Sequence, residues 1–322
     1  NVDKGATTLT IKNVNITAKL PVIARYYTNP AYQINFAGEN TLTAPGYQVV
    51  LTTGNNNEIF ISPEKYAQPT GVENFCVFPG TTEIYAYSDA ELQHLLNNAK
   101  DGDKIQLAAD IEGDVTAAQK DNVKITIDGR NYNYAGVITV DGKSAAYETA
   151  GLTINNLNFN AETISSDACI RLGISGDTNT RYTSNVTVNG CTFDVPGAVG
   201  IKSYTGGDKN LTITGCTATT KAHSLVQVAG VDGVLVDECT IKSKNGMNFN
   251  QSDKVTITNC TAEVLGYAVR FGAGSGGHGE EETYTIEGST LKSACNDGDA
   301  VIVLRGTADN STLNINNTTL EG

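Results

Sequence analysis

The stretch Asn185-Val-Thr-Val-Asn-Gly-Cys-Thr-Phe193 is repeated as Asn210-Leu-Thr-Ile-Thr-Gly-Cys-Thr-Ala218, Gly233-Val-Leu-Val-Asp-Glu-Cys-Thr-Ile241 and Lys254-Val-Thr-Ile-Thr-Asn-Cys-Thr-Ala262. With Cys replaced, the phrase continues as Thr283-Tyr-Thr-Ile-Glu-Gly-Ser-Thr-Leu291 and Thr312-Leu-Asn-Ile-Asn-Asn-Thr-Thr-Leu320, and an early version stands at Gly151-Leu-Thr-Ile-Asn-Asn-Leu-Asn-Phe159. Self-similarity on this scale marks a solenoid, in which each unit buries its apolar face only against its neighbours. Val188, Ile213, Val236, Ile257, Ile286 and Ile315 occupy one position of the phrase at intervals of 25, 23, 21, 29 and 29 residues, so one repeat is one coil. Inside the phrase Val186 and Val188, then Cys191 and Phe193, alternate with polar residues, the period-2 pattern of strands with one buried face.

Two residues separate the alternating pairs and must turn a corner. The second of them reads Asn156, Gly190, Gly215, Glu238, Asn259, Gly288 and Asn317, all but Glu238 being Gly or Asn. Those two residue types enter the left-handed region most easily, so a positive φ is expected at the same edge of every coil. A further strand follows in each repeat: Ile170-Arg-Leu172, Val199-Gly-Ile201, Val226-Gln-Val228, Met247-Asn-Phe249, Val269-Arg-Phe271 and Val301-Ile-Val303. Three short strands per coil with an Asn-rich corner resemble the right-handed parallel β-helix of the pectin-lyase-like superfamily, from roughly Tyr85 to Gly322. The resemblance implies an all-β, right-handed parallel β-helix solenoid.

Ser88-Asp-Ala-Glu91 reads as a capping box ahead of the amphipathic run Leu92, Leu95, Leu96 and Ala99, which stops before Gly102. A short helix is therefore expected to cover the first coil and hide its unpaired strand edges. Ile105-Gln-Leu107, Val123-Lys-Ile-Thr-Ile127 and Ile138-Thr-Val140 read as the first strands after it. Upstream, Thr8-Leu-Thr-Ile-Lys-Asn-Val-Asn-Ile16 fits the phrase with Asn13 at the corner, and Ile34-Asn-Phe36 and Val49-Val-Leu51 read as strands. Lying before a terminating helix, residues 1–80 are expected to form a separate β-rich module with partial coils, and residues 81–322 the main solenoid. Pro63, Pro69, Gly71, Pro79 and Gly80 mark the linker; one continuous solenoid is the alternative. No cap is legible before the sequence stops at Gly322: either the natural protein continues or something covers that edge, one hypothesis being that the Leu9 to Ile16 segment of a neighbouring protomer supplies the next coil.

Of the 322 residues 39% are apolar, and no apolar run is long enough to span a bilayer. Asn1 is not an initiator Met, which leaves room for a leader ahead of it; the family resemblance implies an extracellular or cell-surface location. A net charge of −13 argues against a nucleic-acid partner, which requires a basic face. Cys191, Cys216, Cys239 and Cys260 fall in one inward column, with Ser289 and Thr318 continuing it, so they read as a packing ladder and not as disulfides or metal ligands. Cys169 is expected inside or near a bend, and Cys76 and Cys295 are the candidates for exposed or paired thiols. Asn-x-Thr sequons at Asn15, Asn185, Asn210, Asn259 and Asn316 are by-products of the phrase.

Gly277-His278-Gly279 resembles a polygalacturonase-type signature, but the partner carboxylate motifs that would supply acid and base are missing; Ser275 to Glu282 reads as a loop. Asp297-Gly-Asp299 is a turn more readily than a calcium site, two carboxylates being too few oxygens; no cofactor is expected otherwise. The candidate site is the outward face of the third strand, whose solvent column reads Arg171, Gly200, Gln227, Asn248, Arg270 and Ile302, with Lys202 and Asn250 in the adjacent column. Long connections, Gly173 to Ser184 and Gly272 to Glu282, border the short Ala229 to Gly233, so a groove is expected there. In the enzymes this chain resembles, polysaccharide lies along that face, and lyases use Arg or Lys as base, commonly with calcium. Arg171, Lys202 and Arg270 would stand for such groups, with Tyr204, Tyr267 and His223 near the strand ends. Three functions fit these residues: a polysaccharide or cell-surface glycan binder using Arg171, Lys202, Gln227, Asn248, Asn250 and Arg270; a lyase or glycosidase with an atypical site; and a structural or adhesive surface protein.

Overall fold

In a computed structural model the chain forms a parallel β-solenoid of about eight coils. The structure describes residues 8–18, 22–26, 33–37, 40–43, 49–53, 75–77, 83–142, 149–162, 164, 166–173, 182–203, 207–272, 282–296, 300–306 and 311–322. Three sheets run the length of the main stack, with ten, nine and eight strands, and every coil contributes one strand to each in turn. All the pairings are parallel, as expected when successive coils stack in the same sense.

The repeat phrase sets the register as its spacing predicts. Ile105, Ile127, Ile154, Val188, Ile213, Val236, Ile257, Ile286 and Ile315 lie side by side across the ten-stranded sheet. Each corner adopts the left-handed conformation, with φ of 53° at Asn156, 62° at Gly190, 52° at Asn259 and 46° at Asn317. Glu238 takes the same value as Asn259, 52°, so the stack overrides its residue preference. The reason is the hydrogen bonding: the Gly190 N–H donates to Thr214 O at 2.9 Å, Gly215 to Asp237 O at 2.9 Å and Glu238 to Thr258 O at 3.1 Å. Two residues on, each chain bonds backward, Thr217 N to Cys191 O and Thr240 N to Cys216 O, both at 2.9 Å.

Cys191, Cys216, Cys239 and Cys260 are fully buried free thiols in one column. The thiol of Cys239 donates to Asp237 O at 3.2 Å and that of Cys216 to Thr214 O at 3.4 Å; Ser289 and Thr318 make the same bond to Glu287 O at 3.0 Å and Asn316 O at 2.8 Å. The column therefore selects a small side chain with a donor as well as a small volume. Hydrogen bonding to the neighbouring thiol, with burial, pushes Cys216 and Cys239 up to about 12. Cys169 is buried as expected, and Cys295 is a partly exposed free thiol.

The bulk of the core changes walls along the stack. Phe159 and Phe193 stack at 5.3 Å on the nine-stranded sheet, where Ala218 and Ala262 stand further along. On the eight-stranded sheet Leu172 and Ser203 come first, and Phe249 and Phe271 stack at 5.8 Å later, with Tyr284 of the ten-stranded sheet stacked 4.2 Å from Phe271.

Helix α1, Asp89–Asn98, packs Leu92, Leu95 and Leu96 into the main core. Ser88 Oγ accepts from Glu91 N, while Glu91 Oε2 reaches past the cap to the Tyr87 N–H at 2.7 Å. Strand Glu83–Ala86 stands before the helix and opens the ten-stranded sheet, an element absent from the sequence expectation. Upstream, Thr8–Lys12, Asn15–Thr17 and Val22–Tyr26 form one coil, and Gln33–Ala37, Thr41–Thr43 and Val49–Thr53 pair with them to form a second. Asn13 turns that corner at φ 53°. Cys76 lies in strand Phe75–Val77, which pairs with Val49–Thr53.

Candidate functional site

The register of the eight-stranded sheet sets Arg171, Lys202, Gln227, Asn248, Arg270 and Val303 side by side, one from each successive coil. Asn250 lies in the next column, between Ala229 and Gly272. Three assignments differ from the sequence expectation. Lys202, and not Gly200, is the outward residue of its coil. Gly200 is buried, and a Cβ there would stand 2.9 Å from the Phe193 ring and 2.6 Å from Leu225 O. Ile302 aligns with Val269 in the inward column, which leaves Val303 outward.

The column is polar and tightly held. Lys202 Nζ forms an ion pair with Asp167, a residue of the preceding coil. The Arg270 guanidinium carbon lies 4.1 Å from the centroid of the Tyr267 ring, which is 3% exposed and braces the cation from below. His223 Nδ1 is 3.2 Å from the Gln227 amide nitrogen, and Nε2 is 3.5 Å from that of Asn245. Burial, then the charges of Lys244 and Lys202, hold the His223 pKa below its ordinary value, so the ring is neutral at neutral pH. Asn248 is 9% exposed, and its Oδ1 is buried without a hydrogen-bond partner among the described residues.

Sequence reading did not single out Asp167, Lys244 or Asn245. Their roles are inter-coil contacts that need the register, and the only signal was their place just ahead of the third strand. Tyr204, Gly277-His278-Gly279, Asp297, Asp299 and most of the two long connections lie outside the described residues. Glu282 is buried and accepts the Tyr284 hydroxyl at 2.6 Å. Among the described residues no group of three or more His, Cys, Asp or Glu side chains is placed to hold a metal ion. The amides of Asn185, Asn210 and Asn259 are engaged within the stack, by Ala150 O at 2.8 Å, Asn185 Oδ1 at 2.9 Å and Asp237 Oδ1 at 3.1 Å.

A concavity of about 570 Å³ lies away from this column, beside the nine-stranded sheet, walled by Lys242, Lys244, Glu263, Leu265, Lys292 and Glu321. Alternating charge is its signature: Lys242, Glu263, Lys292 and Glu321 are successive in the strand order, and Lys292 meets Glu321 at 2.7 Å. That pair is half exposed and contributes little to stability.

No described helix is long and apolar enough to cross a membrane. No protein-family model matches the chain, and no curated protein matches it in sequence. The class the fold defines is the parallel β-solenoid, an architecture that hosts many functions, so the function must be argued from the site.

Proposed function

We propose that the chain is a polysaccharide-binding β-solenoid acting outside the cell or at its surface, in the manner of the pectin-lyase-like superfamily it resembles. The observation that carries this reading is the straight column from Arg171 to Arg270. Five consecutive coils each contribute one long polar side chain at the inter-strand step of about 4.8 Å, a rigid strip of about 19 Å. A repeating row of donors on a stiff surface suits an extended repeating polymer better than a compact small molecule. Arg171, Lys202, Gln227 and Arg270 present donors to sugar hydroxyls. Asn250 extends the strip by one column. Lys202 would have to share its charge between a ligand and Asp167, which already holds it.

Affinity electrophoresis through gels containing neutral and acidic polysaccharides tests the reading. The protein is expected to be retarded by at least one glycan, and an Arg171→Ala/Arg270→Ala variant to lose that retardation. Equal mobility of both proteins in every gel would overturn the assignment.

A further inference from the structure

The column from Arg171 to Arg270 presents less positive charge than its three cations suggest. Asp167 meets Lys202, and of that pair the carboxylate side chain is the more exposed, 53% against 23% for the lysine. At this step of the strip solvent therefore meets an anion in front of a partly covered cation. The next two steps, Gln227 and Asn248, are uncharged amides, and His223 beside the Gln227 amide is neutral. Arg171 and Arg270 stand at opposite ends, four inter-strand steps or about 19 Å apart. A second carboxylate borders the Arg171 end: Asp141 faces outward on strand Ile138–Asp141, one residue past Val140, which pairs with Leu172. Lys244, whose charge bears on His223, belongs to the wall of the separate concavity.

We propose that the polymer this strip takes is a neutral polysaccharide, one without carboxylate or sulfate groups, and that Asp167 sets the choice; the inference rests on the binding reading given above. A polyuronate carries a carboxylate on every sugar, and the sugars of an extended chain succeed one another at a step similar to that of the coils. Laid along the column, it would set one carboxylate against Asp167 and others over the Gln227 and Asn248 amides, where no cation answers them. Such a like-charge contact rejects the wrong partner without weakening the right one. A neutral sugar offers hydroxyls, each both donor and acceptor. Asp167 accepts their protons, the Gln227 amide can do either, and the arginines donate. The net charge of −13 acts on any polyanion in the same sense.

Affinity electrophoresis of the wild-type chain and an Asp167→Asn variant tests this, in gels containing neutral polymers (mixed-linkage β-glucan, xylan, galactomannan) or acidic ones (polygalacturonate, alginate, chondroitin sulfate). The wild-type chain is expected to bind at least one neutral polymer, and to bind each acidic one more weakly. Asp167→Asn removes the anion and leaves Lys202 its charge, so the gap between neutral and acidic polymers is expected to narrow roughly fourfold, the factor for one like charge removed at about 5 Å in water. A change of fold alone would weaken both classes together and leave the gap as it was. Wild-type protein held more tightly by an acidic polymer than by every neutral one, or a gap unchanged in Asp167→Asn, would overturn the inference, while the binding reading stands if Arg171→Ala/Arg270→Ala loses the retardation. No retardation of the wild-type chain in any gel would overturn the binding reading itself, and this inference with it.

Discussion

Replacing Glu238 should stabilise the solenoid. Its φ of 52° puts an L side chain in the left-handed region, which costs about 1–2 kcal/mol. The side chain is exposed and no hydrogen bond to it exists among the described residues, so nothing visible offsets that strain. Glycine removes the strain but gains freedom in the unfolded chain worth about 0.5–1 kcal/mol. Glu238→Gly should therefore stabilise its coil by roughly 0.5–1 kcal/mol, and Glu238→Asn by a similar amount. The reverse experiment is Gly190→Ala, which puts a Cβ at a φ of 62° and 2.7 Å from Asn156 Oδ1, for a loss of about 1 kcal/mol or more. Because coils of a solenoid open locally, native-state hydrogen exchange at Cys239, Thr240 and Thr258 is the appropriate assay. Exchange there should slow roughly two- to fivefold in the Glu238 variants. Faster exchange in Glu238→Gly, or a neutral Gly190→Ala, would refute the claim that the corner conformation limits stability.

Burial holds the Asp208 carboxyl up at about 6 even though Oδ1 accepts from the Thr183 N–H at 2.7 Å and hydroxyl at 2.9 Å. The unfolded chain releases that proton near pH 4 and the folded chain near pH 6, so stability falls as pH rises through this window. Asp208→Asn, keeping an oxygen for Thr183, should outstabilise wild type at pH 7 by ~1–2 kcal/mol and match it at pH 4 in urea titrations; a constant gap at both pH values would contradict this. The thiols of Cys216 and Cys239, near 12, should resist a thiol-specific disulfide reagent in the native protein at pH 8 and react on denaturation; rapid native labelling of either would show the ladder is open. Cys239→Ser, which keeps a donor for Asp237 O, should cost under about 1 kcal/mol, and Cys239→Ala about 1–2 kcal/mol, read from urea melts.

The coil, its corner and its strand register were legible because the phrase carries all three at once: Ile213 fixes the inward column, Gly215 the bend and Cys216 the next wall. Glu238 shows why the pattern outranks the residue, since its neighbours above and below bond the corner into shape. The candidate strip was legible only to within two residues. Gly200 and Lys202 share an outward parity, and parity alone does not reveal that the Phe193 ring closes over the first of them. Ile302 was misplaced for the opposite reason: three apolar residues in a row, Val301 to Val303, carry no alternation to read. The Asp167–Lys202 ion pair and the His223 contacts join residues of different coils, so no local spacing announces them.

A chain of near-identical phrases faces a hazard that ordinary folds escape: a coil can pair with the wrong neighbour and keep all its backbone hydrogen bonds. The passage of aromatic bulk from the nine-stranded wall at Phe159 and Phe193 to the eight-stranded wall at Phe249 and Phe271 removes that degeneracy. Omitting the coil that carries Ala218 would bring Phe193 next to Ile241 and Ser203 next to Phe249, a junction with volume in the wrong places. Voids and overpacking of this kind cost several kcal/mol each. The crossover thus works as an address, telling each otherwise interchangeable turn of the chain where in the stack it belongs.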